Sequence, residues 1–350
     1  MTTAIVPWGT LFCYLTCNIG LIFVYFAIVI AFFRKNLFFN SLMLLPYTAL
    51  VRIRTLLSPT AYEVQPNDTT MVQYLYSVVA SPMAQSILAI FLLFVQAWAV
   101  NRLSIKFRIS KKLTLIPGLL YILFASFFPP LLVLSPVLLA TSAVIWVLYE
   151  LFSTYKRTHT AISLFNTGFA VGLATILVPS MSLYILVCVL GLTIIKSFKL
   201  IELLQQVIGF GAAIYLYFSL GYLIGLDPTQ EWSLFALGFN LDILYVSTYP
   251  IIFGALVVAI TLAVFSYNKY LAKKSIQIHK SIDMLFWSML VSLLVALLAA
   301  KVDFSFLILL ILPLSLLLNM NLQRIKNGAI AEFIHLALLA LLFVQHFVLA

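Results

Sequence analysis

The sequence predicts an all-α fold, a polytopic transmembrane helix bundle with about 12 membrane segments. Three observations carry this expectation. Of 350 residues, 64% are hydrophobic and only 9% are charged, against about 45–50% and about 25% in soluble domains. Mean hydropathy is +1.15. The apolar residues fall in runs close to the ~20 that a helix needs to cross a hydrocarbon core about 30 Å thick. Too few polar side chains remain to cover such a surface in water, which excludes a soluble enzyme, a nucleic-acid-binding domain and a disordered chain. The net charge of +10 is therefore read as topology and not as affinity for nucleic acid.

The first run, residues 10–33, lacks the basic start and small-residue cleavage site of a signal peptide, so 1–33 reads as a span or an N-terminal extension. Segments 37–55, 82–101, 113–129, 131–150, 161–178, 181–197 and 202–225 follow and form a core module over 34–225. Segments 248–267, 282–300, 304–320 and 328–349 form a C-terminal module over 226–350. Pro129-Pro130 and Pro179-Ser180 break the helices where the chain reverses. Segments 113–129, 161–178, 181–197 and 304–320 are short enough to be re-entrant or strongly buried. Alternation of the barrel kind is absent, and backbone at membrane depth must satisfy its own hydrogen bonds, so helices are the expected element. Cys13, Cys17 and Cys188 all lie inside apolar runs, with neither disulfide nor zinc spacing.

The cations orient the bundle. They follow segments one (Arg34, Lys35), three (Arg102 to Lys112), five (Lys156, Arg157), seven (Lys196, Lys199), nine (Lys269 to Lys280) and eleven (Arg324, Lys326). Seventeen of 20 thus share one side, and only Arg52, Arg54 and Lys301 fall on the other. Short basic loops mark the cytoplasm, so both termini are expected on the periplasmic side of a bacterial inner membrane. The outer side then carries three polar connections: Arg52 to Ser81, Gly225 to about Pro250, and Lys301-Val302-Asp303. Within the second, Glu231 to Tyr249 reads as an amphipathic interfacial piece with aromatic anchors.

The catalytic candidates are Asp68 and Glu63. An outward carboxylate above a membrane groove can act as a general base on an acceptor hydroxyl, or hold a divalent cation such as Mg²⁺ beside a phosphate. Arg52 and Arg54 are the phosphate-binding candidates, since guanidinium grips phosphate bidentately. The structural alternatives are that Asp68 or Thr69 caps a helix over 70–80, and that the arginines snorkel to head groups. Glu332 and His335 share a helical face, but Glu-x-x-His needs a second such motif to hold a di-iron centre, so a helix–helix hydrogen bond is the expectation. Glu202 is expected to pair with Lys199, and Gln96, Asn101 and Asn166 to make interhelical hydrogen bonds. Gly168-Phe-Ala-Val-Gly172 and Gly221-Tyr-Leu-Ile-Gly225 are small-x-x-x-small patterns, read as internal packing.

The runs Gln96-Ala-Trp-Ala-Val-Asn101-Arg102, Ile116-Pro-Gly-Leu-Leu-Tyr121, Leu134-Ser-Pro-Val-Leu-Leu-Ala140 and Phe165-Asn-Thr-Gly-Phe-Ala-Val-Gly-Leu-Ala174 resemble an uncharacterised bacterial inner-membrane family, a domain of unknown function. Some of its members carry a carotene-monooxygenase label, which four histidines split between two membrane faces do not support. Where that family has Phe-Asp-Ala-Gly-Phe, this chain has Phe165-Asn-Thr-Gly-Phe169. The order of features, with an acidic outward loop and then a basic-flanked pair of spans, is more distantly similar to the GT-C membrane glycosyltransferases. That resemblance implies Asp68 as the loop-one base, although GT-C members often show two adjacent acids where this chain has Asn67-Asp68. It implies a polyprenyl-phosphate-linked sugar as substrate. The alternatives are a non-catalytic subunit of an envelope assembly, with other membrane proteins as partners, and a small-molecule transporter. Membrane lipid is a partner under every reading.

Overall fold

The computed structural model describes residues 29–65, 68–196, 198–223, 225, 250–272, 274–299 and 304–347. Cys13 and Cys17, most of the first predicted span, the Glu231–Tyr249 piece and the Lys301–Asp303 turn lie outside the described residues. The described residues form helices and no strands. In chain order these are α1 (Val29–Phe33), α2 (Phe38–Leu42), α3 (Leu44–Val51), α4 (Ile53–Leu57), α5 (Thr70–Val78), α6 (Pro82–Lys106), α7 (Ile116–Phe124), α8 (Pro129–Leu132) and α9 (Pro136–Ser153). There follow α10 (Ala161–Leu177), α11 (Ile185–Ile195), α12 (Leu200–Leu223), α13 (Pro250–Phe265), α14 (Tyr267–Leu271), α15 (Ile276–Leu297), α16 (Leu307–Leu322) and α17 (Gly328–Phe347). Single 3-10 turns at Pro179–Tyr184 and Phe304–Phe306 lead into α11 and α16.

Among the described residues, six helical segments are long and apolar enough to cross a membrane: α6, α9, α12, α15, α17, and α16 together with its leading turn. Four shorter apolar stretches, Phe38–Val51, Ala161–Leu177, Pro179–Ile195 and Phe253–Phe265, accompany them. The multi-pass character read from composition therefore stands, while the count of about 12 segments is not confirmed by the described residues. Segment 113–129 shows why. Its helix α7 holds nine residues, roughly 14 Å at 1.5 Å per residue, and Pro117 opens it while Pro129-Pro130 bars its extension. All nine residues are buried, so this apolar run fills protein interior and not lipid.

The centre is α16. It is apolar over most of its surface, with Ser315, Asn319 and Asn321 as its polar residues, and 89% of its spanning window is buried, as so apolar a helix must be. It packs on α15, α7, α13, α9 and α6. At the periphery, α12 has only 17% of its window buried and is held by α10 through glycines. A Cβ on Gly168 would lie 1.8 Å from the Gln206 carbonyl oxygen, and one on Gly209 2.2 Å from that of Phe165. One on Gly172 would lie 2.5 Å from the Ala213 Cβ. The Gly168-x-x-x-Gly172 pattern is thus an internal helix contact, in keeping with the sequence reading.

The basic connections gather at one end of the bundle. The Leu115 amide donates to Phe33 O, Lys274 Nζ to Ile109 O, Lys280 Nζ to Ile195 O, Lys196 Nζ to Thr160 Oγ1 and Arg324 to Lys269 O. Lys280 also lies over the Tyr155 ring. All six connections named from the sequence are joined through these contacts, and the loop carrying Glu63 and Asp68 is absent from them.

Candidate functional site

The opposite end is organised by a broken hairpin. Helix α7 stops at Phe124, α8 is one turn, and α9 starts at Pro136, so several carbonyls between 125 and 134 have no intrahelical donor. Buried carbonyls without water must find one in the protein. Arg52 supplies three of them. It sits at the kink between α3 and α4 with φ −102° and ψ 24° and is 1% exposed. Its Nη2 donates to Ala125 O (3.0 Å) and Leu131 O (2.9 Å), its Nη1 to Leu132 O (3.3 Å), and its Nε to Ser126 Oγ (3.2 Å). Tyr76 on α5 donates its hydroxyl to Leu134 O, and Ser305 Oγ donates to Pro130 O at 3.3 Å. His346 on α17 meets Ser126 O at 2.7 Å through Nε2, which must carry the proton because a carbonyl only accepts.

Arg52 is therefore turned into the fold, gripping carbonyls in the planar, forked manner that would otherwise grip a phosphate. Arg54 is half-buried, and its guanidinium makes no hydrogen bond among the described residues. Arg54 is thus the phosphate candidate that retains its donors.

Asp68 belongs to the loop that covers this hairpin. Its Oδ2 accepts from the Gln65 amide (2.7 Å) and the Tyr62 hydroxyl (3.2 Å). The Tyr62 ring lies 4.8 Å from that of Tyr76, and the Tyr62 amide donates to Gln85 Oε1 on α6 at 2.9 Å. Burial, and then the Asp68 charge, push the Tyr76 phenol above its ordinary pKa, which keeps it a hydrogen-bond donor. Glu63 is exposed, and its carboxylate makes no hydrogen bond among the described residues. The expected capping of 70–80 is corrected: α5 spans 70–78, and neither Asp68 nor Thr69 caps it. The Thr69 hydroxyl donates instead to Ile176 O at 2.9 Å, because tying the loop to the end of α10 satisfies a buried carbonyl. Asp68 and Glu63 could supply two carboxylates to Mg²⁺. No group of three His, Cys, Asp or Glu that could hold a metal occurs among the described residues.

The remaining polar residues bind helices together. The Tyr121 hydroxyl donates to Gln96 Oε1 (2.8 Å), and Gln96 Nε2 donates to Leu138 O (2.6 Å) and Ser142 Oγ (2.9 Å). Asn101 Oδ1 accepts from the Gly118 amide at 2.7 Å. Three of the four quoted motif runs therefore lock α6, α7 and α9 to one another. Glu332 accepts from the Ile30 (3.1 Å) and Ala31 (2.8 Å) amides, and His335 Nε2 meets the Tyr47 hydroxyl at 3.0 Å; these are the helix–helix contacts expected of that pair. Glu202 pairs with Lys196 at 2.5 Å and not with Lys199, since Lys196 is already drawn inward by Thr160.

Sequence reasoning missed Tyr76, Ser126, Ser305 and His346. Their partners lie 58 to 220 positions away, beyond any local spacing. The one available signal was Arg52 itself, a cation on the wrong side of the charge pattern. No protein family, curated protein or solved structure matches the chain.

Proposed function

We propose that the chain is a multi-pass protein of the bacterial inner membrane that acts as a GT-C-like transferase on a polyprenyl-phosphate-linked sugar. In this reading the basic end faces the cytoplasm and the Asp68 loop faces the periplasm. Asp68 is the general base, Glu63 an auxiliary carboxylate, and Arg54 the phosphate contact. Arg52 holds the hairpin against which the donor lies.

One observation carries the proposal: a half-buried carboxylate, oriented by a phenol and a backbone amide, shares one end of the bundle with a half-buried arginine that retains its donors. A base of this kind removes the acceptor hydroxyl proton as the sugar leaves its phosphate, and the guanidinium receives the charge left on that phosphate. The closing measurement is the polyprenyl-phosphate glycan pool of cells lacking the protein, read by mass spectrometry. Lipid-linked donor accumulates in the deletion strain and in Asp68→Asn, and wild-type protein clears it. An unchanged pool in the deletion strain overturns the reading in favour of a non-catalytic envelope subunit.

A further inference from the structure

We infer that the basic end of the bundle contains a phosphate-binding pocket, walled by Lys111 and Lys112 from the α6–α7 connection, Lys269 and Lys274 around α14, and Arg324 after α16. This site is at the other end of the molecule from Asp68 and does not rest on the transferase reading. The cavity measures about 240 Å³, several times the ~30 Å³ that one water occupies in the liquid. It opens beside a second cleft that shares Lys111 and Lys274 and adds Arg108. No carboxylate lines either space.

Charge alone is not the argument, since lysines in short loops are expected on one face of any membrane protein. The fold forces these cations together. Gln323 is the tie: its Nε2 donates to Lys112 O (3.0 Å), Ser110 Oγ (3.1 Å) and Thr114 Oγ1 (3.1 Å), and its Oε1 accepts from the Lys112 amide (3.1 Å). Arg324 donates to Lys269 O and lies 5.5 Å over the Tyr270 ring, whose hydroxyl accepts from Asn321 at 2.7 Å. Lys274 reaches Ile109 O at 3.4 Å. Arg108, at φ 50°, holds the left-handed conformation that disfavours a side chain. Burial, and then the charges of Lys111 and Arg324, depress the Lys274 pKa. Like charges held in a concave, pinned frame are unfavourable until an anion neutralises them. Lysine and arginine around a small cavity fit a phosphate of two or more charges. A phospholipid headgroup and a soluble pyrophosphate share that chemistry, and basic pockets between helices are known to take two-phosphate lipids.

The test uses the full chain in nanodiscs of phosphatidylcholine alone and of phosphatidylcholine doped with cardiolipin. Cardiolipin retention is read by native mass spectrometry, and inorganic pyrophosphate binding by the thermal midpoint. The double variant Lys111→Gln, Lys274→Gln is compared with Arg157→Gln, Lys326→Gln, which removes two exposed cations outside the pocket. The pocket variant loses affinity about thirtyfold, from about 1 kcal/mol for each cation near phosphate, and the control retains it. Cardiolipin retained against pyrophosphate assigns the lipid source, and pyrophosphate bound in phosphatidylcholine discs assigns the soluble one. Without ligand, Lys274→Gln raises the thermal midpoint by relieving repulsion, a change that a merely structural lysine would not give. Binding of neither phosphate, or equal loss in both double variants, overturns the inference.

Discussion

Replacing Arg52 by methionine tests the broken hairpin directly. The side chain is 1% exposed, and the substitution keeps most of its apolar stem while deleting all four hydrogen bonds. Three carbonyls, those of Ala125, Leu131 and Leu132, then lose this donor. An unsatisfied buried acceptor costs about 1–3 kcal/mol. Removing a buried cation returns part of that, because its desolvation penalty disappears with it. Taking the low end for each carbonyl gives a net loss of about 3 kcal/mol. Arg54→Met, two positions on and without side-chain hydrogen bonds among the described residues, stays within about 0.5 kcal/mol. The assay is reversible unfolding of the purified protein in lipid-like detergent, followed by tryptophan fluorescence, with size-exclusion profiles after heating as a second readout. Equal stability of the two variants would refute the carbonyl-clamp argument, and Arg52 would return as a candidate ligand for phosphate.

Four further outcomes follow from the same structure. Gly168→Ala places a methyl group 1.8 Å from the Gln206 carbonyl oxygen, so α10 and α12 must separate at a cost of about 1–3 kcal/mol. Gly211→Ala meets nothing within 4 Å and gains up to about 1 kcal/mol of helix propensity; both are measured by thermal unfolding. Because the Lys274 pKa is depressed in the fold, the unfolded chain holds that proton to higher pH than the native one. Wild-type stability therefore rises, relative to Lys274→Gln, as pH climbs through the lowered value towards the ordinary lysine range, and a flat difference between the two unfolding curves would contradict this. Glu332→Ala removes both acceptors from the Ile30 and Ala31 amides, loosening α1, so trypsin cleaves after Arg34 or Lys35 about tenfold faster for about 1.4 kcal/mol lost.

How far the residues could be read in advance depended on the range of the interaction. Helical, multi-pass character was legible because it rests on local composition and run length, and α6, α9 and α16 lie where their runs predicted. The charge pattern was legible for the same reason, and the basic connections do meet at one end. Segment 113–129 was legible only through its shortness, which left re-entrant and strongly buried placements open, because hydropathy cannot tell lipid from protein interior as the neighbour of an apolar helix; the structure shows the buried one. Asp68 was visible with Glu63 as one of two acids in a polar loop, but its phenol and amide partners were not. Arg52 was legible only as an exception, since the carbonyls that occupy it come from a hairpin 73 to 80 residues downstream.

The sequence by itself determined the solvent of this protein, the helical form of its backbone and the segregation of its cations, since each is a sum over neighbouring residues. Only the tertiary structure decided which apolar helix lies at the centre, which arginine is committed to backbone carbonyls, and that basic side chains from three separate connections surround one cavity. The physical reason is that a hydrogen bond or a pocket is fixed by distance in space, and packing of whole helices brings together groups that no spacing along the chain relates.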